Sequence, residues 1–194
     1  MRRKFEHQKV LPLQQFAQIL NRELRQMSEH WWFFTELDGV GLPFPHDRHV
    51  VRFFYSTKSA HFRSAILGLH NSVTDKYVSI PTLVKRTNGR ADLQTLNGAA
   101  KALFDGHVAG LAGIKDIRDK MVAHWDDKNL AEDVMELSKV ELKLIDGFVE
   151  AVESFRPLLT QISGIEVLPV SRDEIGEFSF NLMAGIDRLH RQMP

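Results

Sequence analysis

Ile114-Lys115-Asp116-Ile117-Arg118-Asp119-Lys120-Met121-Val122-Ala123-His124 is the stretch that decides how this chain folds and where its chemistry is to be sought. Ile114, Ile117, Met121 and His124 are separated by 3, 4 and 3 residues, the spacing that lines side chains along one face of an α-helix. The same turns carry a cation, an anion and an imidazole. A histidine ionises near pH 6.5 when unperturbed, at about neutrality, so it can give or take a proton there, and an arginine can hold a phosphate in a bidentate grip. That combination suits phosphodiester chemistry. At about 100° per residue, Arg118 and His124 lie roughly 120° apart on an ideal helix. One copy of the chain therefore does not bring both to a single face.

The helical pattern extends outward in both directions. From Asp92 to about Trp125 it carries Gly98, Gly106, Gly110 and Gly113. A mid-helix glycine costs up to ~1 kcal/mol relative to alanine, so the four predict close helix approach or a break near Asp105-Gly106. Upstream, Leu13, Phe16, Leu20, Leu24, Met27, Trp31 and Phe34 form one apolar stripe. This first helix has Pro12 at its start, where the missing N–H costs nothing, and is expected to end near Asp38-Gly39. Gly41-Leu42-Pro43-Phe44-Pro45 reads as a loop that lets the second helix turn back.

The second helix is expected from Asp47 to about Lys76. Val50, Phe53, Phe54, Ala60, Leu67 and Val73 form one of its faces, while Val51, Tyr55, Phe62, Ile66 and Leu69 lie on others. An all-round apolar helix of this kind is expected to be central or to share a face with a partner subunit. Ser79-Ile80-Pro81-Thr82-Leu83-Val84 reads as a short helical turn and Thr87-Asn88-Gly89-Arg90 as a loop. Downstream, Ser138-Lys139-Val140-Glu141 and Ser171-Arg172-Asp173-Glu174 match capping boxes, each opening an amphipathic helix. Pro157 is expected to kink the first of these, and Ser163-Gly164 to end it. No alternating strand segment occurs, so the fold class is all-α, an antiparallel helical bundle of about five main helices.

Composition narrows the function. The chain has 194 residues, no cysteine and 43% hydrophobic content, enough for a real core and without disulfides, thiolate zinc sites or cysteine nucleophiles. The amino terminus runs into no apolar leader-like segment and no stretch approaches the ~18 apolar residues of a membrane span, so a cytoplasmic protein without membrane contact is expected. Net charge is zero, but residues 1–130 hold 19 Lys/Arg against 13 Asp/Glu, and residues 131–194 hold 6 against 12. A neutral chain is a poor nonspecific nucleic-acid binder, because that affinity comes from neutralising phosphates. The uneven distribution leaves room for a local binding face, or for two differently solvated surfaces.

Arginine, a polar residue, and histidine a few positions on, near the end of a long helix in an all-helical chain, resemble the signature of the HEPN superfamily. The phrase Ile117-Arg118-Asp119-Lys120-Met121-Val122-Ala123-His124-Trp125-Asp126 is especially similar to its abortive-infection, AbiU-like branch. Ser64-Ala65-Ile66-Leu67-Gly68-Leu69-His70-Asn71-Ser72-Val73-Thr74-Asp75 and Ser79-Ile80-Pro81-Thr82-Leu83 carry a second likeness, so that the resemblance covers about residues 50–163. It implies one domain over 1–194, with a core at about 50–163 on which helices 13–37 and 172–191 pack. Active members of the superfamily are metal-independent ribonucleases that work as two-fold dimers. The resemblance thus implies a homodimer, an RNA substrate cut to a 2′,3′-cyclic phosphate, no cofactor, and a toxin or phage-defence role with an antitoxin as possible partner. Arg118, Asp119 and His124 would be the catalytic set, with Asp119 orienting His124 or Arg118. The alternative is a catalytically inactive HEPN-like module that binds nucleic acid or a protein, in which Arg118 serves the helix end electrostatically beside Asp119 and Asp126.

Other groups compete for a role. Pro45-His46-Asp47-Arg48-His49 offers two imidazoles and a carboxylate but lacks a third ligand at a diagnostic spacing, and Asp47 equally suits a helix N-terminus. Trp31-Trp32-Phe33-Phe34 could stack bases or cover a dimer seam, although at least two must be core. His61 and His70 lie on the second helix and could approach the motif in space.

Overall fold

The computed structural model describes residues 11–39, 47–75, 78–123, 141–168 and 171–192. Among these, every regular element is helical: α1 (Leu13–Gly39), α2 (Arg48–Val73), α3 (Ile80–Thr87), a 3₁₀ turn (Ala91–Leu93), α4 (Gln94–Gly106), α5 (Val108–Ala123), α6 (Leu142–Ser163) and α7 (Arg172–Gln192). The fold is an all-α packed bundle.

The first stripe forms as its spacing dictates. Phe16, Leu20, Leu24, Met27, Trp31 and Phe34 are all buried, and α1 packs against α2, α3, α6 and α7. The hub of the bundle is therefore α1, while α2, expected to be central or to share a face with a partner subunit, packs on α1, α3 and α5. The reason lies in α2's actual burial: Phe54, Lys58, Phe62, Ala65, Ile66, Leu69 and Ser72 are its covered residues, while Phe53 is 54% exposed and Ala60 is exposed. One face of α2 is covered, and the face assigned to Val50, Phe53 and Ala60 is not the buried one.

Neighbouring helices run antiparallel. Trp31 Nε1 donates to Asp146 Oδ1 at 2.6 Å, and ten residues earlier on α1 Asn21 Nδ2 donates to Thr160 Oγ1 at 3.1 Å. Along α1 and α2, a Cβ added at Gly68 would sit 2.9 Å from Met27 Cβ, so the two backbones approach closely there. Between α1 and α6 lies Arg156, nearly fully buried. Its guanidinium donates to Asn21 Oδ1 at 2.8 Å, to Glu153, and to the carbonyls of Val167 and Leu168 at 3.2 and 3.1 Å. A buried cation persists only when bonded in this way, and here it ties the segment after α6 back to α1.

Caps define several ends. Asp47 caps α2 through bonds from the His49 and Val50 amides, and Ser79 caps α3 through the Thr82 amide. Gly164 ends α6 in the left-handed region at φ 67°, where glycine meets no Cβ penalty. Ser171 accepts from the Glu174 amide at 3.3 Å, as one half of a capping box requires. The other proposed box is corrected: Glu141 itself occupies the N-cap of α6 in an extended conformation, and its carboxylate pairs with Lys143 at 2.7 Å. Ser138, Lys139 and Val140 lie outside the described residues, as does the expected loop at 41–45. Pro157 sits on the exposed side of α6, which is one continuous helix through it.

The glycine-rich stretch does both things expected of it. The helix breaks at His107, which separates α4 from α5. Gly110 then allows α5 to meet α6, since a Cβ there would lie 2.8 Å from the Leu144 carbonyl oxygen.

Candidate functional site

α5 presents Ile114, Ile117 and Met121 to the core, all buried, and packs on α2 and α6. These are the apolar positions read from the sequence, and their burial fixes the rotation of the helix. Arg118, one step round from Ile117, consequently stands at the edge of the buried face with its side chain 29% exposed. Its Nη1 is 2.9 Å from Asp119 Oδ1, and the Asp119 side chain is 48% exposed. Adjacent helical residues diverge by about 100°, so this pair forms only because the long guanidinium bends toward its neighbour. The Nε of Arg118 is buried and has no hydrogen-bond partner among the described residues.

That orphan nitrogen is the distinctive chemical feature of the motif helix. A buried N–H without an acceptor is uncommon because it forfeits its hydration. Farther along the same helix, Lys120 Nζ donates to Asp116 Oδ2 at 2.9 Å. With Lys115 exposed beside these pairs, α5 carries Lys115, Arg118 and Lys120 against Asp116 and Asp119.

Asp119 therefore lies against Arg118. His124 lies outside the described residues, with Trp125 and Asp126. Pro45 and His46 do also, and His49, at the first turn of α2, is exposed. No group of three or more His, Cys, Asp or Glu that could hold a metal occurs among the described residues.

The aromatic run is mostly core. Trp31, Trp32 and Phe34 are 0%, 6% and 3% exposed, which removes three of its four rings from any stacking surface. Phe33 alone turns outward far enough to stack on His61, with ring centroids 4.8 Å apart. His61 meets His30 of α1, their Nδ1 atoms 2.9 Å apart. Burial lowers the pKa of both below the usual histidine value. A charge on His30 lowers His61 further, and Glu29 partly offsets the effect on His30. His30 was not evident from its own helix. No local pattern signals the pair, because the contact depends on the register of α1 against α2 and on how far each ring reaches along the helices.

A cleft of about 680 Å³ opens elsewhere, between the first turns of α1 and α4 and the last turn of α6, lined by Leu13, Gln14, Thr95, Leu158 and Gln161 among others. Neither Arg118, Asp119 nor any of the histidines considered above lines it. Arg90 at this cleft is paired with Asp92 at 2.6 Å.

No described helix is long and apolar enough to cross a membrane. The sequence profile of the AbiU2 family of HEPN domains matches residues 13–161. That span includes α1, upstream of the quoted motifs, and stops before α7. Neither the curated proteins nor the solved structures contain a match to the chain.

Proposed function

Because the chain belongs to the AbiU2 branch of the HEPN superfamily, we propose that it is a metal-independent endoribonuclease of the toxin or phage-defence kind, acting as a homodimer. The observation that carries the reading is Arg118: its side chain is 29% exposed at the edge of the core, and its Nη1 is held 2.9 Å from Asp119 Oδ1. The outer N–H groups of that part-exposed guanidinium are the ones a phosphate oxygen can reach.

In this reading Arg118 binds the scissile phosphate and stabilises the negative charge that grows on it in the transition state. His124 takes the proton from the ribose 2′-hydroxyl as its oxygen attacks phosphorus. A second imidazole protonates the departing 5′ oxygen, leaving a 2′,3′-cyclic phosphate and a free 5′-hydroxyl. Two-fold pairing supplies that second imidazole, since an isologous contact brings a motif near its own symmetry mate. Asp119 is a positioning residue that sets the direction of the Arg118 fork. The need for a 2′-hydroxyl confines the reaction to RNA. An antitoxin partner would restrain such an activity in the cell.

The competing reading, a silent helical module that binds RNA or protein, draws on the same Arg118–Asp119 pair as a self-contained surface ion pair. Incubating the purified protein with a mixed RNA pool in EDTA, beside His124→Ala, separates the two. Cyclic-phosphate ends from the wild type alone are expected. Identical behaviour of the two proteins would refute the ribonuclease assignment and leave the binding module.

A further inference from the structure

We propose that His30 and His61 form a pH-sensitive clasp that governs how firmly α7 is held on the α1–α2 pair. The proposal does not rest on the ribonuclease reading. Its basis is a chain of three contacts. The two Nδ1 atoms are 2.9 Å apart, with ring centroids at 5.0 Å and planes inclined by 55°. His61 stacks on Phe33 at 25° between ring planes, and Phe33 meets the edge of Phe178 of α7 at 5.6 Å and 87°. The imidazole pair thus touches α7 through one shared phenylalanine.

The bond between the two rings can hold one proton and no more. With both imidazoles neutral, one Nδ1–H donates to the lone pair of the other Nδ1. A single added proton on the donor's other nitrogen leaves that bond intact. A second proton, on the acceptor Nδ1, places N–H against N–H and cation against cation, so the rings must part. His61 then leaves its place under Phe33, and Phe33 loses the support that directs it to Phe178.

The surroundings do little to oppose this. On α1 the charged neighbour is Glu29, which favours a charged His30 but is itself held by Arg25 at 2.9 Å. On α2, Lys58 lies over the Phe34 ring, 5.6 Å from its centroid. α7 brings an uncharged ring to the site, and its Arg172 is bonded to Glu36 at 2.9 Å. On α5, which packs on α2, Arg118 and Lys120 reach Asp119 and Asp116; on α6, Asp146 is turned to Trp31. α7 is anchored at two points along its length, by Ile175 in the main core and by Met183 in a small separate cluster with Leu37 and Phe54.

Hydrogen–deuterium exchange of the full chain at pH 7.5 and 4.5, corrected for the intrinsic pH dependence of exchange, tests the clasp. Residues 172–192 are expected to lose at least tenfold protection at the lower pH while residues 142–163 do not. His61→Phe, which keeps a ring against Phe33, is expected to abolish that difference. Equal protection of α7 at both pH values, or an unchanged loss in His61→Phe, would overturn the proposal. Should the variant not fold, an NMR titration of the wild-type histidines serves instead. Ring signals of Phe33 and Phe178 are expected to move with the lower of two coupled imidazole steps, and their remaining still across both steps would be decisive against it.

Discussion

Gly110 and the Leu144 carbonyl are in backbone contact: a methyl group at position 110 would lie 2.8 Å from the Leu144 oxygen. α5 therefore approaches α6 as closely as a glycine permits, and that approach sets where Arg118 stands two turns later. A backbone carbonyl cannot swing aside as a flexible side chain can. Gly110→Ala is expected to push the helices apart and to destabilise the protein by about 1–3 kcal/mol, the usual cost of overpacking. Urea denaturation would show this as a lower midpoint with an unchanged slope. RNA cleavage is expected to fall with it.

Arg118→Ala separates function from stability. The side chain's partner is a neighbouring residue that is nearly half exposed, and surface pairs of that kind contribute about 0–1 kcal/mol. A melting temperature close to wild type is expected, together with a loss of RNA cleavage of about 100-fold or more, as for removal of a transition-state donor. Arg118→Lys should restore little, because an ammonium lacks the planar fork.

Arg156 reverses that balance. Its side chain is 4% exposed and that of its partner Glu153 is 14% exposed, with one Glu153 oxygen already buried and lacking a hydrogen-bond partner among the described residues. Arg156→Ala would leave the carboxylate uncompensated and free the carbonyls of Val167 and Leu168. A loss of about 3–5 kcal/mol is expected, as when one partner of a buried pair is removed. Thermal unfolding would detect it, and proteolysis should become faster in the segment after α6.

Folding stability should fall as the solution is acidified from pH 7.5 toward 5.5. The folded-state pKa values of His30 and His61 lie below the unfolded value, chiefly through burial. The unfolded chain then binds more protons over this range, so the stabilisation is complete above the unfolded pKa of about 6.5 and is lost as pH decreases through the folded values. Urea midpoints measured across the interval should decline less in His61→Phe than in the wild type.

Much of this was legible beforehand. The stripes of α1 and α5 were readable because a 3.6-residue period survives in the one-dimensional order of apolar side chains, whereas in α6 the residues buried are Ile145, Val149, Val152 and Leu159 beside Phe148 and Phe155, and Leu144 is exposed. The break at His107, the caps at Asp47 and Ser171 and the stop at Gly164 were readable because each depends on groups within a few residues. For α2 the sequence left the buried side open, since nearly every side of it carries an apolar residue and periodicity alone does not say which side meets α1. Arg118 and Asp119 were marked by their chemistry, yet their mutual contact depends on a side-chain bend that spacing does not specify.

By itself, then, the sequence determined the helical class, most helix ends, the buried side of α5 and the family signature, all of which rest on local spacing and residue chemistry. Tertiary structure alone decided that α1 is the hub, that Arg118 Nε is buried beside the core, and that His30 meets His61. Those outcomes depend on the register and rotation of one helix against another, set by contacts such as Gly68 with Met27 and Gly110 with Leu144, between residues far apart in the chain.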